Sequence, residues 1–107
     1  MLFRSIPNLS IIQGKDAYLR CSISNLGDNK IIWTFVDNQQ LISIQEHIID
    51  NRNGRISIQN IGDIYELHIS NISLEDRGYY MCEINCVNKF CTSKSQVGYL
   101  NVVGNVD

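Results

Sequence analysis

The chain has 107 residues, of which 44% are apolar, and its formal net charge at pH 7 is -2. This length suits one domain with a core of its own and is too short for two, so we expect a single domain over residues 1–107 with its core at about residues 8–103. The nine Lys and Arg residues are scattered along the chain, which excludes the concentrated basic surface of a nucleic-acid-binding protein.

Short β-prone runs separated by turn residues fill the chain, and this pattern is typical of an all-β domain. Several runs alternate apolar and polar residues, so that one side of each strand faces a core. In the third run, Ile31, Trp33 and Phe35 share the core side. In chain order, the predicted strands are residues 9–12, 17–24, 30–37, 41–45, 47–49, 55–59, 64–70, 78–85 and about 96–103.

Cys21, Trp33, Tyr80 and Cys82 are the most informative residues of the chain. The two cysteines are 61 positions apart, a spacing that suits two strands in opposite sheets. Trp33 is placed to cover a bridge between them, and Tyr80, two residues before Cys82, fits a tyrosine corner. These residues predict an immunoglobulin-like β-sandwich of the variable or intermediate type. We expect about nine antiparallel strands in two sheets, lettered A, B, C, C′, C″, D, E, F and G in chain order, and a Cys21–Cys82 disulfide worth about 4 kcal/mol.

Three further residues are expected to support this fold. In immunoglobulin families, an Arg that opens strand D commonly forms a salt bridge with an Asp that precedes strand F, which predicts a pair between Arg55 and Asp76. Gly78 allows the tight turn into strand F, and Tyr80 can return its hydroxyl to nearby backbone. We interpret all of these residues as structural.

A second cysteine pair is predicted at the turn between strands F and G. Cys82 and Cys86 would be roughly 13 Å apart on an extended strand, which is beyond disulfide reach. Cys86 and Cys91 flank four residues where the chain must turn back, and a hairpin brings such positions together. We therefore expect a Cys86–Cys91 disulfide that stiffens the F–G loop.

No motif for catalysis, a cofactor or a metal ion is present in the sequence. There is no nucleophile elbow, phosphate-binding loop or His-Glu metal helix, and His47 and His68 have no neighbouring nucleophile in sequence. The spacing of Cys82, Cys86 and Cys91 does not match the usual zinc sites. We therefore expect a binding module and not an enzyme, with no cofactor.

The cysteines also indicate where the domain works. Four cysteines in so small a domain point to an oxidising compartment, and the sequons at Asn8 and Asn71 are candidate N-glycosylation sites. The sequence shows no signal peptide and no apolar run long enough to cross a bilayer. We expect an extracellular domain, excised from a secreted or membrane-anchored parent with an added initiator Met, that makes no membrane contact itself.

One side of the predicted sandwich has too many apolar residues facing out. On a sandwich, outward positions are ordinarily polar, yet strands C, C′, F and G each place apolar side chains there. Neighbouring residues of this kind merge into a patch large enough to indicate a protein contact. The predicted partner interface comprises Ile32, Thr34, Val36, Ile42, Ile44, Met81, Glu83, Asn85, Val97 and Tyr99.

Two stretches of the sequence allow a narrower comparison. Residues 76–85, DRGYYMCEIN, and residues 94–103, KSQVGYLNVV, resemble the first immunoglobulin domain of the Dpr-interacting proteins (DIPs), whose relatives include lachesin, amalgam and the vertebrate IgLONs. The resemblance implies a cell-surface recognition protein with three immunoglobulin domains, often lipid-anchored. It also implies first domains that dimerise, homophilically or with Dpr partners, through their C–C′–F–G faces.

The chain departs from that family in two places. The loop at residues 86–93 is four residues longer than the family's and adds the second cysteine pair, and Glu83 stands where Gln is usual. The leading hypothesis is a domain that binds another immunoglobulin domain, or itself, through the C–C′–F–G face. The alternative is a secreted or diverged domain that binds a non-immunoglobulin ligand through the stiffened F–G loop and Phe90. A spacer domain without a partner is the third possibility.

Overall fold

The computed structural model describes residues 3–4, 6–87 and 93–104, with the backbone alone at residues 3 and 4. This part of the chain is all-β, as predicted, and contains ten strands and two short 3-10 helices, Val36–Asn38 and Leu74–Asp76. The strands are β1 (Phe3–Arg4), β2 (Leu9–Ile12), β3 (Ala17–Ile23), β4 (Lys30–Phe35), β5 (Gln40–Ile44), β6 (His47–Ile48), β7 (Ile56–Ile61), β8 (Ile64–Ile69), β9 (Gly78–Asn85) and β10 (Ser95–Val103).

Two sheets face each other across the core. Their strand orders are β1-β3-β8-β7 and β2-β10-β9-β4-β5-β6, so β1 and β2 are two parts of strand A, and β3 to β10 are strands B to G. The predicted sandwich is confirmed, with one exception to its antiparallel pairing. Strand β2 runs parallel to β10, with Leu9 beside Leu100, because the chain crosses from one sheet to the other between β1 and β2.

The core lies around the predicted signature residues. Cys21 and Cys82 form a disulfide with their Cα atoms 6.4 Å apart, and Trp33 is fully buried beside them in the core. On β3 and β8 the core residues alternate with half-buried or exposed ones, most of them polar, as expected for a sheet with one side exposed to solvent. The first cysteine pair of the sequence analysis is therefore confirmed.

A β-bulge in β5 corrects one predicted interface residue. Trp33 pairs with Ser43, but the next residue, Thr34, pairs with Leu41, so Ile42 is an extra residue in β5. Because a bulge breaks the alternation of side chains, Ile42 and Ser43 are both fully buried. The prediction that Ile42 faces outward is wrong, since Ile42 belongs to the core.

Asp76 is the centre of a buried polar cluster at one end of the sandwich. Its carboxylate accepts hydrogen bonds from Arg55 at 2.7 and 3.1 Å, which confirms the predicted pair, and from Arg52 at 2.8 Å. The Tyr80 hydroxyl donates to the backbone oxygen of Asp76 at 2.7 Å, as the tyrosine corner predicts, and accepts from Arg52 at 2.6 Å. We call Arg52, Arg55, Asp76 and Tyr80 the Asp76 network.

Gly78 provides the first testable prediction. Its φ is +151°, and a Cβ built there would lie 2.6 Å from Phe35 Cε1 and 2.7 Å from Asp37 Oδ2. Gly78→Ala is therefore expected to lower the free energy of unfolding by about 2 kcal/mol or more, through backbone strain and overpacking together. Urea unfolding followed by circular dichroism measures this loss.

Gly62→Ala is the matched control for that change. Gly62 also has a positive φ, +57°, but a Cβ there would meet no atom within 4 Å, so it reports the strain alone. We expect a loss of about 1 kcal/mol. Equal losses at the two positions would contradict the role given to the close approach of Phe35 and Asp37.

Candidate functional site

The outward side of β5, β4, β9 and β10 brings most of the predicted interface residues together; we call it the outer face. Cross-strand partners lie side by side on the same side of a sheet, so the register defines its rows. In the first row Ile32 lies between Ile44 and Glu83, and Ser95 follows beyond Glu83. Ile32, Ile44 and Glu83 are half-buried.

The second row is more apolar than the first. Thr34 lies between Leu41 and Met81, and Met81 is paired with Val97 on β10. Val97 is 47% exposed, while the other three are half-buried. The two rows place five apolar side chains on adjacent strands with no residue of the described chain packed above them in a third layer, as expected for a surface that binds a protein.

Leu41 is a residue that the sequence analysis missed. The bulge at Ile42 shifts the register by one residue, so that Leu41 and Ile44 both lie on the outer face although an odd number of positions separates them. From the sequence, alternation over residues 41–44 predicts only that some apolar side chain of this strand faces outward, whichever of the two alternating sets is in the core. Which side chain it is depends on the bulge.

A pair of tyrosines forms one end of the outer face. Tyr79 and Tyr99 are cross-strand partners, and their rings meet edge to face with centroids 4.8 Å apart. Tyr79 is 50% exposed. Beside them, the Tyr99 backbone N–H donates to Asn8 Oδ1 at 2.9 Å, which places the sequon residue Asn8 at the same end.

Two predicted interface residues lie at the margins. Strand β4 ends at Phe35, so Val36 lies in the following 3-10 helix and not on the strand, where it is 38% exposed. Asn85 is exposed at the end of β9, opposite Lys30. Neither contributes to the two apolar rows.

Glu83 gives the outer face its charge. Within the described residues its carboxylate takes part in no ion pair. The nearest cationic candidates by register are Lys94, which precedes Ser95, the partner of Glu83, together with Lys30, in the row of Asn85, and His47, which pairs with Ile44; all three are exposed. Once a bound protein removes water, a half-buried carboxylate beside Ile32 needs a cation or hydrogen-bond donor opposite it.

The F–G loop is only partly described. Cys86 is half-buried and disulfide-bonded, whereas Cys91 and Phe90 lie outside the described residues. The Cys86–Cys91 pairing therefore stays a prediction. At the near end of the loop, the Val87 backbone N–H donates to Asn29 Oδ1 at 3.0 Å, which ties it to the turn before β4.

On the opposite sheet, Ser57, His68 and Asp16 form a hydrogen-bonded series. Ser57 Oγ is 3.1 Å from His68 Nδ1, and His68 Nε2 is 3.0 Å from Asp16 Oδ2. The hydrogen bond from His68, followed by one from the Asn71 backbone N–H, lowers the pKa of Asp16. Because the same carboxylate holds Asn71 and the His68 ring stacks on Tyr18, we interpret the series as one that fastens the turn before β3 to the sheet.

No group of three or more His, Cys, Asp and Glu side chains among the described residues is arranged to hold a metal ion. None of the helices in that part of the chain has the length and apolar character to span a bilayer.

The comparisons with known proteins concern nearly the whole chain. A family model described as the immunoglobulin I-set domain matches residues 2–98. A chain of the solved complex of Dpr1 IG1 bound to DIP-eta IG1 is 39% identical with a TM-score of 0.86, and the match covers 95% of this chain and 94% of that one. No curated protein sequence matches the chain.

Two longer solved structures are also similar to the chain. DIP-gamma IG1+IG2 is 34% identical with a TM-score of 0.86, over 96% of this chain and 48% of that one. A chain of the complex of Dpr2 Ig1-Ig2 with DIP-Theta Ig1-Ig3 is 37% identical with a TM-score of 0.85, over 94% of this chain and 33% of that one. The chain thus spans about half of the first and a third of the second.

Proposed function

The chain belongs to the immunoglobulin I-set family, and from that premise we propose that it is a cell-surface recognition domain that binds another immunoglobulin domain through the outer face. The observation that supports this most strongly is the pair of apolar rows across β5, β4, β9 and β10. The similar Dpr1 and DIP-eta first domains are bound to each other in their solved complex, which supports an immunoglobulin domain as the partner.

The Cys21–Cys82 disulfide supports a place outside the cytosol, because such bonds persist in oxidising compartments. Together with the family resemblance, this favours a parent protein that is secreted or anchored at the cell surface. The domain then presents its outer face to a domain on another molecule.

Glu83 favours a heterophilic partner over a second copy of this chain. Near the axis of a two-fold dimer each residue meets its own copy, so two half-buried Glu83 carboxylates would face each other with no ion-pair partner from the described chain. Like charges placed together in an interface cost several kcal/mol. A different domain with an Arg, Lys or amide donor opposite Glu83 turns this cost into attraction.

Ile32→Asp is expected to abolish binding and leave the fold intact. Ile32 lies in the first row and its side chain points away from the core, so the change adds a charge to the apolar surface without entering the sandwich. We expect affinity to fall by about thirtyfold or more, since a central interface contact contributes about 2 kcal/mol. Surface plasmon resonance with the first domains of Dpr1, Dpr2, DIP-eta and DIP-gamma, and sedimentation velocity for self-association, measure this loss.

Ile61→Asp is the matched control. Ile61 is 64% exposed at the end of β7 in the other sheet, so the same substitution there should change neither binding nor the circular dichroism spectrum. Normal binding by a folded Ile32→Asp variant would contradict the proposed face. A wild-type domain that neither self-associates nor binds any of the four first domains would contradict the proposed function.

A further inference from the structure

Asn8 opens the sequon Asn8-Leu9-Ser10 and lies immediately before β2, the strand at one edge of the six-stranded sheet. It is exposed. Because Leu9 pairs with the buried Leu100, strand alternation places Asn8 and Ser10 on the other side of the sheet. That side is the outer face, at the end formed by Tyr79 and Tyr99.

The backbone on both sides of Asn8 is held firmly. Ile6 is 3% exposed and lies against Gly98, where a built Cβ would be 2.5 Å from Ile6 Cγ2. On the other side, Ser10 Oγ accepts a hydrogen bond from Asn101 Nδ2 at 3.1 Å. Asn8 therefore has a fixed place and direction between two anchored neighbours.

Within the described part of the chain, the Asn8 side chain is oriented by a hydrogen bond to its oxygen. Asn8 Oδ1 accepts the Tyr99 backbone N–H at 2.9 Å, and this bond is compatible with a sugar on the amide nitrogen, Nδ2. A sugar there would lie next to the Tyr79–Tyr99 pair, of which Tyr79 is half exposed. Aromatic rings present the apolar surface that pyranose C–H faces pack against.

We propose that Asn8 is N-glycosylated and that its glycan covers the Tyr79–Tyr99 end of the outer face, which confines the partner to the end around Ile32 and Met81. The second half of this inference rests on the proposed function. The modification joins Asn8 Nδ2 to the anomeric carbon of a lipid-pyrophosphate-linked oligosaccharide. The sugar–phosphate bond breaks, the lipid pyrophosphate leaves, and one amide proton passes to a base of the transferring enzyme.

A glycan at this position also covers an exposed edge. In the described part of the chain β2 is paired only with β10, and an edge strand with free backbone groups invites pairing with another chain. A bulky sugar on the residue just before β2 opposes that pairing. The glycan would therefore also oppose edge-to-edge association of β2 with any other chain, whatever partner the outer face binds.

Asn71, the other sequon residue, provides the matched comparison. It follows β8 in the other sheet, and its backbone N–H is bonded to Asp16. A sugar there has no tyrosine of the outer face beside it in sequence or register. Asn71→Gln therefore removes a sequon without touching the Tyr79–Tyr99 pair.

The first test concerns occupancy and coverage and needs no partner. The full chain is secreted from a eukaryotic cell line, and glycopeptide mass spectrometry should find the sugar on Asn8. Hydroxyl-radical footprinting should then label Tyr79 and Tyr99 severalfold more in Asn8→Gln and in Ser10→Ala than in the wild type, and not more in Asn71→Gln. The two loss variants remove the sequon through different atoms, so agreement between them excludes an effect of the lost Asn8–Tyr99 hydrogen bond.

The second test concerns the place of docking. With the Dpr1 first domain and a second copy of the chain as probes, glycosylated wild type and Asn8→Gln should bind within about twofold of each other, while Ile32→Asp loses binding. An unmodified Asn8, or unchanged labelling of the two tyrosines, overturns the glycan assignment whatever the binding result. Much weaker binding by the glycosylated form overturns the confinement, and coverage of the tyrosines with neither self-association nor binding to any of the four first domains overturns only the proposed function.

Discussion

Asp76→Ala is expected to lower the free energy of unfolding by about 3 kcal/mol or more, because it breaks a buried ion pair by removing one partner. Asp76 is 2% exposed, and its two oxygens accept from both guanidinium groups of the Asp76 network. Without the carboxylate, the half-buried Arg52 and Arg55 side chains lose their counter-charge. Tyr80 keeps only its bond to the backbone oxygen of residue 76 and its contact with Arg52.

Two variants separate charge from shape in this network. Asp76→Asn keeps the size of the side chain, so we expect it to recover part of the loss through hydrogen bonds alone. Arg52→Met should cost less than Asp76→Ala, because it removes one cation and leaves the bidentate Arg55 pair in place. Urea unfolding monitored by tryptophan fluorescence of Trp33 measures all three. A loss below about 1 kcal/mol for Asp76→Ala would contradict the role of the network.

The same carboxylate predicts a pH dependence of stability. Burial raises the pKa of Asp76, but hydrogen bonds from Arg55 and the Ser73 backbone, with the charges of Arg52 and Arg55, outweigh it and leave the pKa below its ordinary value of 3.8. A carboxyl with a lowered pKa in the folded state contributes stability above its unfolded pKa and loses it as the pH falls through the folded value. Wild type should therefore lose more stability than Asp76→Asn between neutral pH and about pH 3.

Loss of the Cys21–Cys82 disulfide is the second change with a large expected effect. The bridge joins β3 and β9 in opposite sheets over a separation of 61 residues, so its removal frees a long loop in the unfolded chain. We expect Cys21→Ala with Cys82→Ala to cost about 4 kcal/mol and to leave the domain largely unfolded at 37 °C. Thermal unfolding of the purified double variant, followed by circular dichroism, measures the effect.

Cys86→Ser with Cys91→Ser is the control for that pair. A bridge between these positions would close only a short loop, so its loss should cost about 2 kcal/mol and leave the sandwich folded. Peptide mapping under non-reducing conditions establishes both linkages. A Cys21→Ala, Cys82→Ala variant as stable as wild type would contradict the role given to the first bridge, and a Cys82–Cys91 linkage would contradict the predicted pairing.

The sequence by itself determined the sandwich, the first disulfide and the Arg55–Asp76 pair. The first two depend on features that can be read from spacing and alternation, and the third follows from the pair that immunoglobulin families commonly form at these positions. Period-two alternation reports which side of a strand is buried, and a cysteine pair at this separation with Trp33 between suits strands in facing sheets. The outer face could be predicted as an apolar surface for the same reason, because Ile32, Met81 and Val97 lie on strands that keep their alternation.

Only the tertiary structure decided where alternation fails. The bulge that buries Ile42 and moves Leu41 to the outer face depends on the register of β5 against β4, which is a relation between two segments and not a property of either. The parallel pairing of β2 with β10 and the short strand β1 likewise depend on where the chain crosses between sheets.

The place of Arg52 in the Asp76 network likewise could not be predicted from the sequence. This arginine lies in a turn with a positive φ, and nothing in the sequence around it distinguishes it from a solvated cation. Its bonds to Asp76 and Tyr80 form only when the turn before β7 is packed against the start of β9. A contact between two irregular segments that are far apart in the chain produces no periodic pattern in the sequence. It forms only when the two sheets pack together over the core.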